Sequence, residues 1–270
     1  MDTIQTDVSD PALVIAIRAN MCAFFRHVGR SNPAESLENE QFARWYTPLP
    51  HPWFNGVLSS DLPRDGDESF IDETIQYFRR KGINTFTWWL EPHLKPSDWK
   101  PVLARQGFGY SNDTPGMAID LHEMDETLQA VDGLEIRRAG DLEAMRTWAQ
   151  VFTKGYSLPP AWESIAFEVW MQLGLDLPVR NYVGYLNGRP VSTSTIFYGG
   201  GAAGIYCVST LPEARGKGIG GAITHKPLQE AREMGYRVGV LQSSEMGFNV
   251  YKKLGFRHLC QIENFYLSMK

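Results

Sequence analysis

The chain has 270 residues, 43% of them hydrophobic, and a formal net charge of −5. That length allows one large domain or two of ordinary size, and the apolar content is sufficient for a well-buried core. The negative charge gives no electrostatic reason to expect nucleic acid as a partner. The apolar run from Ala12 to Ile17 is too short for a membrane span or a signal core, so we expect no membrane association.

The three cysteines, Cys22, Cys207 and Cys260, lie far apart in the sequence. Their spacing is not that of paired metal ligands, and a disulfide between two of them would leave an odd thiol. We therefore expect no metal site and a reducing compartment, the cytoplasm.

The first half begins with apolar residues at helical spacing, which predict a helix from Asp10 to about Gly29. Residues 31–40 are polar and predict a loop or a short helix. The elements expected after them are strands at 41–46 and 53–59, a helix that ends near Gly82, a strand at 84–90, a helix at 97–106 and a strand at 116–121.

The second half shows sharper signals, including Asp141 as a helix cap and Asn187-Gly188 as a hairpin turn. Strands are predicted at 134–137, 179–186, 191–198, 203–210, 237–242 and 258–269, and helices at 142–154, 161–173, 219–234 and 246–254. Pro227 lies inside the third of these helices and predicts a kink there.

The most informative stretch is Arg215-Gly216-Lys217-Gly218-Ile219-Gly220-Gly221, which follows a predicted strand and opens a predicted helix. Glycines allow the backbone amides to approach an anion, and a helix N-terminus favours negative charge. The stretch predicts a phosphate-binding loop. It also satisfies a dinucleotide-binding pattern, but the following strand ends Leu241-Gln242-Ser243-Ser244 without the acidic residue that such sites require.

The two halves repeat the same order of elements, each ending in a helix, a Gly-Phe pair and a strand. We interpret residues 1–132 and 133–270 as duplicated domains. After Leu62-Pro63 the first copy has Arg64-Asp65-Gly66-Asp67, which carries acids where the anion would lie. We therefore expect one anion site per chain, in the second copy.

With the glycine loop, Leu211-Pro212-Glu213-Ala214 before it, and Tyr251-Lys-Lys-Leu-Gly255-Phe256 after it, residues 134 to about 266 resemble the GNAT superfamily of acyl-CoA-dependent N-acyltransferases. The first half resembles a degenerate copy. The resemblance implies a mixed α/β fold of two tandem domains, each a mostly antiparallel twisted sheet flanked by helices.

The resemblance also assigns roles to residues. It implies that Arg215, Gly216, Lys217, Gly218, Ile219 and Gly220 hold the pyrophosphate of coenzyme A. Backbone groups of Val208, Ser209 and Thr210 would bind the pantetheine arm, and Tyr251 would protonate the departing thiolate. Ser244 stands where relatives commonly have an asparagine that bonds the cofactor.

The acceptor amine is predicted to contact the aromatic helix and the loop before it, with Tyr156, Trp162, Glu163 and Phe167 as candidates. The strand at 203–210 has no carboxylate to serve as a general base, which leaves Glu163 or Glu168 as candidates.

The resemblance predicts an N-acetyltransferase that moves an acetyl group from acetyl-CoA to a primary amine of a small molecule or peptide by direct attack. Two other classes stay open: a non-catalytic acyl-CoA sensor or scaffold, and an NAD(P)-binding protein. A ping-pong route through Cys207 is a further alternative. The sequence does not decide between monomer and homodimer.

Overall fold

The computed structural model describes residues 3–30, 34–38, 42–59, 68–90, 96–125 and 130–269. The helices are α1 (Asp10–Gly29), α2 (Ser69–Arg80), α3 (Pro96–Arg105), α4 (Leu142–Gly155), α5 (Glu163–Leu173), α6 (Ile219–Glu233) and α7 (Glu245–Lys253), and 3₁₀ turns lie at Pro160–Trp162 and Pro212–Ala214. The strands are β1 (Glu35–Glu38), β2 (Phe42–Tyr46), β3 (Gly56–Ser59), β4 (Thr85–Leu90), β5 (Gly109–Asp120), β6 (Leu134–Arg138), β7 (Val179–Leu186), β8 (Arg189–Gly199), β9 (Ala202–Thr210), β10 (Val238–Gln242) and β11 (Arg257–Ser268). The chain is mixed α/β, as predicted.

Local signals explain most of these boundaries. The Asp141 carboxylate accepts a hydrogen bond from the Ala144 amide at 2.8 Å, which caps α4. Asn187 and Gly188 both have positive φ, as a two-residue hairpin turn between β7 and β8 requires.

Three predicted segments differ from the structure. The strand expected at 53–59 begins only at Gly56. The loop or short helix expected over 31–40 contains β1, which pairs antiparallel with β2. The strand expected at 116–121 is β5, which begins seven residues earlier, at Gly109. The described side chains of β1 and of the first part of β5 are largely exposed, so neither segment shows the apolar alternation by which a strand is recognised. The first-half counterpart of the glycine loop, 62–67, lies outside the described residues.

The chain folds into two compact units. The first comprises Met1–Phe24 and Pro115–Cys260, and the second comprises Phe25–Thr114 and Gln261–Lys270. In the first unit the strand order is β5-β10-β9-β8-β7-β6, antiparallel throughout except for the parallel pair β9 and β10. A dinucleotide-binding fold needs a mostly parallel sheet, so this arrangement argues against the NAD(P) alternative.

The second unit has the strand order β1-β2-β3-β4-β11, with β3 and β4 parallel. Its core is aromatic: Phe78, Phe86 and Trp88 are fully buried, and the Phe78 and Phe86 rings stack with centroids 4.2 Å apart. The large aromatic residues of these strands serve packing.

Each unit is completed by a strand from the other half of the sequence. In the first unit, Val238–Gln242 of β10 pair with Gly116–Asp120 of β5. In the second unit, Thr85–Trp89 of β4 pair with Asn264–Ser268 of β11. Neither half of the sequence therefore contains a whole compact unit. The predicted boundary at 132/133 is a hypothesis about how the two halves arose by duplication, and it stays a prediction.

Helix α1 is tied to the first unit by one buried side chain. The Asn20 amide donates to the carbonyl oxygens of Phe197, Gly199 and Ala202 at 2.8–3.3 Å, and the Tyr206 hydroxyl donates to Asn20 Oδ1 at 2.7 Å. By length and composition α1 could cross a membrane, but 61% of its most apolar stretch is buried within the protein. A core helix has these properties.

Pro227 lies within α6, which is continuous from Ile219 to Glu233. Proline has no N–H to donate to the carbonyl four residues earlier, which here belongs to Ile223. The Ser194 hydroxyl of β8 donates to that carbonyl at 2.8 Å in its place. A bend of the helix axis at Pro227 stays a prediction.

Removing this hydroxyl with Ser194→Ala is expected to lower the free energy of unfolding by about 1–3 kcal/mol, because a buried carbonyl loses its donor. In a Pro227→Ala background the restored N–H at position 227 can serve the same carbonyl, so the cost of Ser194→Ala should shrink. Urea denaturation of the four proteins of this double-mutant cycle measures the difference. If Ser194→Ala lowered the free energy of unfolding equally in both backgrounds, the Ser194 hydroxyl would not be the replacement for the missing N–H of Pro227.

Candidate active site

The candidate site begins where β9 separates from β10. Their parallel pairing runs from Ala203 with Gly239 to Ile205 with Leu241, whereas β9 continues to Thr210. Beyond Ile205, the described β9 pairing is with β8 alone. The backbone of 206–210 is thus open on the side from which β10 has diverged, as the resemblance implies for the strand that binds the pantetheine arm.

A bulge shapes this open segment. The β8–β9 register shifts between Thr193 and Thr195, and Cys207 of β9 has a φ of 52°. The Thr193 hydroxyl donates to the Cys207 carbonyl at 2.9 Å and lies 2.8 Å from Ser209 Oγ. Thr193 therefore holds the bulge in place.

Sequence reasoning missed Thr193. The available signal was the run Ser192-Thr193-Ser194-Thr195, four hydroxyl residues in the middle of a predicted strand. All four are fully buried. Thr193, Ser194 and Thr195 each donate a hydrogen bond through the hydroxyl, and a run of buried hydroxyls indicates such specific bonds inside a sheet.

The glycine loop has the backbone of an anion site. Gly216 and Gly218 have φ values of 77° and 80°, and Gly218 precedes the first turn of α6 without a side-chain cap. A Cβ would meet nothing within 4 Å at Gly216, and its nearest neighbour at Gly218 would be Val131, 3.4 Å away. Glycine is therefore required here for the backbone conformation and not for close packing, and without a side-chain cap the first α6 amides have no intrahelical acceptor.

Arg215 connects this loop to its neighbours. Its guanidinium donates to the Thr210 carbonyl at 3.0 Å and to the Gly155 carbonyl, at the end of α4, at 3.2 Å. Lys217 is exposed. The structure therefore gives Arg215 a positioning role in addition to its charge, while Lys217 is the freer of the two cations to approach an anion.

The end of α4 packs closely on the open strand. A Cβ at Gly155 would lie 2.5 Å from Ser209 Oγ, so only glycine allows this approach. The Tyr156 hydroxyl donates to the Val208 carbonyl at 3.1 Å. Tyr156, predicted as an acceptor contact, thus lies against the strand predicted to bind pantetheine.

Tyr251 lies on α7 and is 9% exposed. Gly247, one turn earlier, makes room for it, since a Cβ there would lie 2.7 Å from the Tyr251 ring. Burial raises the pKa of the Tyr251 hydroxyl, so this group keeps its proton at neutral pH.

Tyr156, Cys207 and Tyr251 lie close together. Burial raises the pKa of Tyr156 well above its ordinary value, and the nearby Cys207 and Tyr251 raise it further. Burial also raises the pKa of the Cys207 thiol to about 12. A thiol that stays protonated is a poor nucleophile, which argues against the ping-pong alternative.

Ser244 is the N-cap of α7, and its hydroxyl accepts a hydrogen bond from the Gly247 amide at 3.2 Å. This bond occupies one acceptor position and leaves the hydroxyl proton available. Ser244 therefore has a structural role, and its contact with a cofactor stays a prediction.

The other predicted acceptor contacts, Trp162, Glu163 and Phe167, are half-buried in the turn at 160–162 and in α5, which packs on α4. The Arg146 guanidinium covers the Phe167 ring at 4.5 Å. Glu168 is exposed. Contact of these side chains with an acceptor stays a prediction.

Comparisons with known proteins agree with this geometry. Residues 200–259, which include the glycine loop and Tyr251, match the family model of the acetyltransferase (GNAT) domain. No protein with a curated description matches the chain in sequence.

Solved structures share the fold. A GCN5-related N-acetyltransferase from Kribbella flavida has a TM-score of 0.67 at 14% identity, covering 94% of this chain and 96% of that chain. One from Sphaerobacter thermophilus has a TM-score of 0.60 at 16% identity, covering 99% and 98%. A tandem GNAT protein from the clavulanic acid biosynthesis pathway has a TM-score of 0.58 at 13% identity, covering 98% and 97%. At these identities the likeness concerns the fold.

The loop can be tested through its backbone. Gly218→Ala is expected to weaken acetyl-CoA binding about tenfold, because a Cβ at positive φ costs about 1–2 kcal/mol and shifts the loop amides. Gly235→Ala is the matched control: Gly235 follows α6, has a φ of 90° and has open space around it. Calorimetric titration should show weaker binding only in Gly218→Ala. If the two variants bound acetyl-CoA equally tightly, the glycine loop would not be part of the binding site.

Proposed function

We propose that the chain transfers the acetyl group of acetyl-CoA to a primary amine of a small molecule or peptide, because residues 200–259 match the GNAT acetyltransferase domain, whose members use acetyl-CoA. The observation that carries this proposal is the convergence of the open β9 backbone, the glycine loop and the buried Tyr251 hydroxyl within one unit. Each part supports a different task.

Binding is assigned to the backbone. The first α6 amides and Lys217 would hold the pyrophosphate, with Arg215 bracing the loop against α4. Backbone groups of Val208, Ser209 and Thr210 would hold the pantetheine arm. For Val208 this requires the carbonyl to exchange or share its bond with Tyr156.

The proposed acyl transfer depends on the hydroxyl proton that Tyr251 retains at neutral pH. Acetyl-CoA supplies an activated thioester, whose acyl carbon the neutral amine attacks directly. Tyr251 donates its hydroxyl proton to the departing sulfur. The attacking amine nitrogen loses a proton to solvent, and solvent returns a proton to the Tyr251 oxygen. The surrounding core, including Phe256 with its ring centroid 6.0 Å from that of Tyr251, limits access of water.

A non-catalytic acyl-CoA-binding module is the second candidate, since the glycine loop and open strand by themselves support binding only. The position of Tyr251 favours catalysis, because it lies close to Tyr156, whose hydroxyl bonds the Val208 carbonyl of the open strand. The odd number and wide spacing of the three cysteines support a reducing compartment such as the cytoplasm.

Tyr251→Phe separates these two candidates. The ring is kept, so folding and acetyl-CoA affinity should persist, while turnover should fall about 10²–10⁴-fold with loss of the proton donor. Tyr198→Phe removes another buried tyrosine hydroxyl of the same unit and should retain turnover. Release of free coenzyme A, followed with a thiol reagent across a panel of amines, gives the rates. Unchanged turnover in Tyr251→Phe would exclude it from the mechanism.

Cys207→Ser tests direct attack against a ping-pong route. Burial raises the pKa of the Cys207 thiol and so keeps it protonated at pH 7, and the variant should therefore keep most of its turnover. Intact-protein mass spectrometry after incubation with acetyl-CoA alone should show no acetyl group on Cys207. An acetylated Cys207 that disappears on adding the amine would establish the ping-pong route.

A further inference from the structure

The first unit contains a cavity of about 500 Å³ that none of the assigned roles uses. It lies among β5, α7 and the first residues of β11, and its lining is Met117, Phe248, Lys252, Gly255, Phe256, Arg257 and His258. Cavities of this size accommodate small organic ligands.

One wall of the cavity is apolar. Met117 and Phe256 are buried, and the Phe248 ring meets the His258 ring edge-on with centroids 5.7 Å apart. These side chains offer a surface that suits a ring-sized apolar group.

The rest of the lining is basic, in a chain whose net charge is −5. Lys252 is exposed, and no carboxylate is among the described residues that line the cavity. Arg257 bonds Asp10 at 2.6 Å with Nη1, and His258 Nε2 donates to the Cys260 carbonyl at 3.0 Å. Arg257 and His258 are thus oriented by other partners, and Lys252 supplies the least compensated positive charge.

We propose that this cavity binds an organic anion that combines an aromatic ring with a carboxylate or phosphate. The ring would pack on Phe248 and Phe256, and the anionic group would bond Lys252 and the remaining Arg257 donors. The site is separate from the glycine loop. Phe256 also touches the Tyr251 ring, so a ligand here would contact the packing behind the proposed acid.

The test uses phenyl phosphate and benzoate as probes, titrated by calorimetry into the whole chain, with benzyl alcohol as the uncharged analogue. At least one anion should bind, and benzyl alcohol should bind at least tenfold more weakly, as expected when a charge-assisted bond is lost. Benzyl alcohol binding as well as both anions would overturn the proposal, as would no binding of either anion.

Substitutions of two neighbouring lysines test whether the anion binds in this cavity. Lys252→Ala should weaken anion binding about tenfold or more, whereas Lys253→Ala, an equally exposed neighbour outside the lining, should not. Lys217→Ala serves as a control for the glycine loop, which could also attract an anion. Binding that is lost in Lys217→Ala but kept in Lys252→Ala would place the anion on the loop and overturn the proposal.

Discussion

The separation of β9 from β10 after Ile205 is the constraint on which the candidate site depends. Two paired strands would use up the backbone groups of 206–210, and the end of α4 could not meet them there. The bulge at Cys207, held by Thr193, keeps the strand bent away. Tyr206, at the start of the open segment, is anchored through Asn20 of α1. Asn20 of α1 and Thr193 of β8 therefore both hold the segment 206–210 in position.

Buried polar contacts provide much of this support. Asn20, Thr193 and Ser194 are all fully buried, and each donates a hydrogen bond to a backbone carbonyl. Such contacts fix geometry, since a shift of either partner leaves a buried polar group unsatisfied. A site built largely from backbone groups needs its backbone held in this way.

The sequence predicted those features that local patterns determine. The glycine loop, the Asp141 cap and the Asn187-Gly188 turn each depend on a few adjacent residues, and the structure contains all three. Strand exchange was not predictable, because the choice between β5 and another strand as partner of β10 depends on packing over more than a hundred residues. The bond from Ser194 to the Ile223 carbonyl was missed for the same reason. Pro227 indicates that the Ile223 carbonyl lacks its usual backbone donor, but it does not indicate which strand supplies another donor.

We expect acetyl-CoA to bind at the glycine loop of the second half and not in the first half, whose sequence has Asp65 and Asp67 instead of alternating glycines. Calorimetric titration of the whole chain with acetyl-CoA tests this most directly. The expected stoichiometry is one molecule of acetyl-CoA per chain. A stoichiometry near two, or no binding at all, would contradict it.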